Sequence, residues 1–170
     1  RQIKRLALHE VGHTLGLNHN FKGSYLHNNQ DVHNPEITGK VGVTASVMEY
    51  PAINLAPLGV EQGDYYDTIP GPYDIWAIKY GYTPNLSEDE LAAIIAEEIK
   101  AEHMFANDSE DMRSPGRGID PRAMINDLTN DPITYAINRI ELLNHTQDNI
   151  VPRLADRVET FEEYRLALTV

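Results

Sequence analysis

The run His9-Glu10-Val11-Gly12-His13-Thr14-Leu15-Gly16-Leu17-Asn18-His19 places three imidazoles and a carboxylate close together in the chain. On a helix, residues four apart share a face with about 6 Å between them, so His9 and His13 can aim at one ion. The chain has no cysteine, so any metal must be held by histidine or carboxylate ligands. Zinc accepts such nitrogens at about 2.0–2.1 Å, and a catalytic zinc keeps one of its four positions for water. A third protein ligand must come from beyond the helix. Gly16 offers the route, because glycine takes positive φ readily and commonly ends a helix there. The chain can then turn sharply and bring His19 back to the ion, whereas a β-carbon at position 16 would resist the bend. Glu10 projects about 100° around the helix from His9. That suits a general base beside a metal-activated water, whose pKa falls toward about 7. The same carboxyl can pass the proton to a leaving amine. The plainer alternative is a buried helix with hydrogen-bonded histidines. Five fixed positions make a chance match rarer than about one chain in ten thousand.

The elements that must hold these residues follow from periodicity and punctuation. Residues 1–16 read as a helix with Leu8, Val11 and Leu15 as its apolar stripe, widened by Ile3, Ala7 and Leu17. Such width predicts a buried helix. Residues 18–50 read as irregular, with a short helix near 34–38. Residues 51–71 carry Pro51, Pro57, Gly59, Gly63, Pro70 and Gly71 and read as a long ordered loop. Pro72 suits the first position of a helix to about Lys79, closed by Gly81. Ser87 to Glu90 is a capping box, opening a helix to about Phe105 with Leu91, Ile94, Ile95 and Ile99 on its inner face. Residues 107–130 return to loop. Asp131-Pro132 starts a helix whose inner face is Ile133, Ala136, Ile137, Ile140 and Leu143. Thr160 to Glu163 is a second capping box, before a terminal helix. Short pieces such as Val41-Gly42-Val43 form at most a small ribbon. The expectation is a mostly α chain with long ordered loops and little or no sheet.

The chain has 170 residues and a formal charge of −12, with 26 acidic and 14 basic residues. That length suffices for one domain with a core. The acidic balance argues against nucleic acid as a partner. No stretch is long and apolar enough for membrane insertion, and the first residues lack the apolar segment of a signal peptide.

From His9 to His19 the chain resembles the metzincin clan of zinc peptidases, whose extended motif is followed by a methionine turn. Ser46-Val47-Met48-Glu49-Tyr50 looks like that turn. The resemblance implies that Met48 is a packing floor under the metal and no ligand. It also makes Tyr50 a candidate oxyanion stabiliser, the alternative being a wall of the pocket. Glu49 departs from the histidine common in astacins, which places the chain outside that subfamily. Asp74 to Gly81 looks like the helix after the turn in matrixin-like enzymes, with Asp74 in its first turn. The run from His9 to Tyr82 most resembles large bacterial zinc-dependent metalloproteases, and Gly118 to Arg122 looks like a stretch of the same proteins.

The resemblance implies a zinc-dependent endopeptidase acting on peptides or proteins, with Zn2+ on His9, His13 and His19. It implies the C-terminal subdomain of a metzincin-like zincin fold. Residues 1–82 would carry the active-site helix, third-ligand loop, methionine turn and following helix, and residues 83–170 a helical extension packed on them. The clan's catalytic domain normally begins with a sheet and a helix before the active-site helix, and with eight residues before His9 this chain is expected to lack that N-terminal sheet subdomain. The expected partners are therefore that subdomain of the same polypeptide and, through an exposed docking face, a second copy. The chain alone is expected to have little peptidase activity. Secretion or a periplasmic location follows from the same likeness. The rival reading is a non-catalytic zinc-binding structural or interaction module, against which the intact Glu10 speaks. Zinc affinity is expected to fall below roughly pH 6.5, since ligating imidazoles must be neutral.

Weaker candidates remain. His27 and His33 read as water-exposed loop histidines, with a second metal site as the alternative. His103 and His145 read as structural. Asp64, Asp67, Asp108, Asp111, Asp127 and Asp131 lack the spacing of a calcium loop. Tyr65, Tyr66 and Tyr73 read as loop packing more readily than as a cleft lining.

Overall fold

A computed structural model describes residues 1–110, 120–154 and 160–169. The first helix, α1, spans Gln2–Thr14 and ends on Leu15, with Gly16 following at φ 85°. The Gly16 N–H returns to the His13 carbonyl and the Leu17 N–H to the Gly12 carbonyl, each at 3.0 Å. These are the paired bonds of a Schellman ending, which needs a left-handed residue where Gly16 stands. The expected bend is therefore present.

The expected burial of α1 is not. Only His9 and Gly12 are buried, whereas Ile3, Leu6, Val11 and Leu15 are exposed. What the described residues cover is the side of the helix that bears His9 and Gly12, while His13 stays exposed. Its broad apolar stripe points outward, although Leu8, Val11, Leu15 and Leu17 border a groove with Val47, Pro70, Ile75 and Ile78.

Helix α2 spans Pro35–Val41, with Asn34 capping it through the Glu36 N–H. Helix α3 spans Pro72–Tyr82 and runs straight through Gly81, so that glycine does not close it. The stop comes at Thr83, whose ψ of 117° is the extended conformation forced on a residue before proline. Helix α4 spans Glu88–Ala96 behind the expected capping box and gives way to single 3-10 turns at Glu97–Ile99 and Ala101–His103. It thus stops well short of Phe105, because Lys100 turns extended. Of its expected inner face only Ile94 is buried, and Ile99 is among the most exposed residues.

Helix α5 spans Pro132–Leu154 and α6 spans Phe161–Thr169. The expected inner face of α5 is also overturned. Ile133, Ile137, Ile140 and Leu143 are exposed, and Tyr135 is the residue that goes inside. Tyr135 wins because its hydroxyl reaches the Ile53 carbonyl at 3.1 Å while its ring joins the core. Among the described residues there is no strand, in keeping with a mostly α fold, and no helix long and apolar enough to cross a membrane. Residues 111–119, including the Gly118-Ile119 part of the later resemblance, lie outside the described residues.

The core is made of two small clusters. Val32, Val43, Leu128 and Tyr135 form one, and Phe21, Ala106 and Ala123 the other. Each joins the segment after α1 to chain beyond residue 105. Backbone bonds reinforce this: Phe21 N–H to Ala106 at 2.7 Å, Asn126 N–H to Tyr50 at 2.8 Å and Ala52 N–H to Asp127 at 3.2 Å. The irregular middle of the chain is thereby held from both sides, and it is this middle that carries the site.

Candidate metal centre

Residues Val43–Glu49 are buried without any regular structure. Their backbone groups must find partners, and buried carboxylates supply them. Asp67 accepts from the Val43 and Thr44 N–H groups at 2.6 and 3.0 Å and from the Thr44 hydroxyl at 2.8 Å. Asp74, in the first turn of α3, accepts from the Ser46 hydroxyl, from the Val47 N–H at 2.8 Å and from the Gly71 N–H at 2.8 Å. Burial pushes both carboxyls up, Asp67 to about 6, and the accepted hydrogen bonds oppose that rise. Arg5 of α1 donates to the Glu49 carbonyl, and the Asn20 N–H to the Met48 carbonyl at 3.2 Å. The methionine turn is thus fixed to α1, to α3 and to the chain after Gly16.

This turn positions the first histidine. His9 Nδ1 lies 2.7 Å from the Val47 carbonyl. A carbonyl only accepts, so Nδ1 carries the proton and Nε2 keeps its lone pair. His13 Nδ1 faces the Leu17 carbonyl at 3.0 Å, just past the Gly16 bend. His19 Nδ1 faces both carboxylate oxygens of Asp108, at 2.9 and 3.0 Å. All three rings therefore have Nδ1 engaged. Their ring centroids are 4.8, 4.9 and 5.4 Å apart, and one ligand atom from each lies within 4.8 Å of the others. His9 Nε2 is buried with no hydrogen-bond partner. An orphaned lone pair facing two more imidazoles is what a metal would satisfy. Burial lowers the His9 pKa, opposed by its bond to Val47 and aided by His13, Arg5 and His19 nearby. The ring is thereby kept in the neutral form that can ligate.

Met48 is fully buried beneath the cluster. A β-carbon built on Gly12 would sit 2.3 Å from its sulfur, so Met48 packs against bare helix backbone between the two helical histidines. A family model described as Met-zincin matches residues 1–168. The chain belongs to the Met-zincin family. No curated protein and no solved structure matches it.

In this Met-zincin the Tyr50 hydroxyl lies 3.0 Å from His19 Nε2, and its ring stacks on His9 at 5.1 Å between centroids. Glu10 is exposed on the turn of α1 that bears His9. The structure thus brings together His9, His13, His19 and Tyr50, with Met48 below and Gly16 making the turn. His27 and His33 do not join them and are not exposed loop residues. Both are buried, and His27 Nε2 bonds the Gly42 carbonyl at 2.8 Å. His103 is structural, stacked on Trp76 at 4.9 Å. Tyr73 packs on Phe105 at 5.6 Å.

The structural roles of several residues around the site were not read from sequence. Gly12 had a signal, since glycine inside a helix is costly unless something packs on it. Glu49 is fully buried, accepting from the Ser24 N–H at 3.1 Å and the Tyr50 N–H at 2.9 Å. Asp127 lies beside it and accepts from the Ser24 hydroxyl at 3.0 Å. Burial raises Glu49 well above the usual carboxyl range, and the Asp127 charge adds to this. Burial pushes Asp127 up to about 6. No spacing in the sequence announces this pair.

Proposed function

We propose that this Met-zincin is a zinc-dependent endopeptidase, with His9, His13 and His19 holding the metal and Glu10 as general base. The observation that supports it most is the set of three imidazoles, each with Nδ1 tied to an acceptor and with one ligand atom from each within 4.8 Å of the others. A bound zinc would supply Lewis acidity toward a peptide carbonyl and acidify a water. Glu10 would take the proton of the attacking water and hand it to the departing amine nitrogen. Tyr50, hydrogen-bonded to His19 at rest, would turn its hydroxyl toward the oxygen that gains charge. Met48 and Gly12 would hold the helical histidines at fixed separation. The substrate is accordingly a peptide or protein.

The test is elemental analysis joined to peptide cleavage. The full-length wild type is expected to carry one zinc and to cleave. Glu10→Ala is expected to keep the zinc and lose turnover by about 10²–10⁴-fold, the range for a general base. Equal turnover in the variant would remove Glu10 from the mechanism. Zinc bound with no cleavage by the full-length wild type would favour the non-catalytic module instead.

A further inference from the structure

His9 and His13 draw their Nδ1 acceptors from backbone carbonyls close to α1. His19 lies past the bend and takes a carboxylate from 89 residues away. We propose that Asp108 is a positioning residue of the metal centre, fixing the tautomer and orientation of the third imidazole. This rests on the zinc-site reading above and adds to it a residue from the distant part of the chain.

The way Asp108 is delivered carries the argument. The chain before it runs beside residues 20–21. Asn20 donates to the Met104 carbonyl at 3.0 Å and accepts from the Ala106 N–H at 3.3 Å, while the Phe21 N–H bonds the Ala106 carbonyl at 2.7 Å. Ala106 and Phe21 are both fully buried. Asp108 itself sits in a turn closed from within. The Asn107 side chain accepts from the Ser109 N–H at 2.9 Å and its hydroxyl at 2.6 Å, and Glu110 accepts from the Asn107 N–H at 2.9 Å. The carboxylate is presented by a fixed platform to a ring stacked on Phe21 at 5.4 Å. Both oxygens lie within bonding distance of one Nδ1, so the ring keeps its acceptor whichever oxygen carries the bond.

A carboxylate acceptor does more than a carbonyl. It takes the Nδ1 proton in a charge-assisted bond and makes Nε2 the more basic ligand atom. It also adds a negative charge close to where a dication would sit. The Asp108 side chain is 65% exposed, which screens that charge and keeps the effect modest.

The experiment is zinc affinity at one neutral pH, by competition with a chromophoric chelator, on the purified protein. Imidazole nitrogen NMR supplies a second readout. Wild type is expected to bind one zinc, with His19 protonated at Nδ1. Asp108→Ala is expected to bind about 10-fold more weakly, the low end for an outer carboxylate. The His19 nitrogen signals should shift, with those of His9 and His13 unmoved. Asp108→Asn keeps an acceptor in the same place and should bind within about threefold of wild type. Affinity of the alanine variant within twofold of wild type, with the His19 tautomer unchanged, would overturn the proposal and leave the zinc site standing. No zinc binding by wild type would overturn both.

Discussion

Residues Val43–Glu49 and helix α5 organise themselves in opposite ways. The first is seven residues of irregular chain, all buried. The second is 23 residues of helix whose apolar side chains are mostly exposed, with Tyr135 the anchor that goes inside. Helix α5 satisfies its own backbone and needs little from its neighbours. The buried loop cannot do so, and it borrows acceptors from Asp67 and Asp74. In this protein the candidate metal centre is therefore braced by buried carboxylates holding backbone N–H groups. Helix packing contributes less, since even α1 buries only His9 and Gly12.

The sharpest way to break that contrast is to remove one such acceptor. Asp74→Ala would strand the Ser46 hydroxyl and the Val47 and Gly71 N–H groups in the interior. At about 1–2 kcal/mol for each stranded donor, the expected loss is about 4 kcal/mol. The Val47 carbonyl that orients His9 would go with it, so zinc binding should fail alongside. Urea denaturation and zinc titration check this. A variant that loses less than about 1 kcal/mol would show that the loop is held by packing after all.

How much of this was legible beforehand divides along the same line. The histidine stretch was legible because its chemistry is local. His9, His13 and Glu10 sit at helical spacing, Gly16 announces the bend, and the bend delivers His19. The capping box at Ser87 and the proline start of α3 were legible for the same reason. The distant acceptors around the site were not. Asp67, Asp108 and Asp127 act on groups 23 to 103 residues away, and one carboxylate among 26 acidic residues carries no mark of that. Asp74 was placed in the first turn of its helix, but its bonds to the methionine turn had no sequence sign. The inner faces of α4 and α5 failed because periodicity finds an apolar stripe without saying that anything lies against it. Gly81 failed because Pro84, three residues on, was the stronger stop.

The Glu49–Asp127 pair sharpens the comparison at a smaller scale. Here burial raises a carboxyl that has few donors to offset it. Asp127 moves from the usual value near 4 up to about 6 in the folded chain. Below pH 4 it is protonated folded or unfolded, and the fold keeps its full stability. Between about pH 4 and 6 the unfolded chain releases this proton first, so stability falls as pH rises through that window, by up to about 3 kcal/mol. Asp127→Asn removes the charge and keeps an oxygen for the Ser24 hydroxyl. It is expected to stabilise the protein by about 1–2 kcal/mol at pH 7, less than the full linkage because the new amide must find its own acceptor. The gain should vanish by pH 4. Denaturation midpoints of the two proteins from pH 4 to 7 measure it. A difference that does not change with pH would mean that Asp127 stays charged in the fold.

The exposed side of α5 gives the smallest expected effect. Ile137 and Ile140 are 51% and 57% exposed, one turn apart and away from Tyr135. If that face meets only water, Ile137→Ser should change stability by less than about 0.5 kcal/mol, as for other surface substitutions. The midpoint should also be independent of protein concentration. A cost of about 2 kcal/mol or more would instead be the cost of a buried side chain. In that case the wild-type midpoint should rise with concentration, since a second copy covering the isoleucines adds stability by mass action. The helix would then resemble the buried loop after all, its partner groups supplied from another molecule where the loop draws them from its own chain.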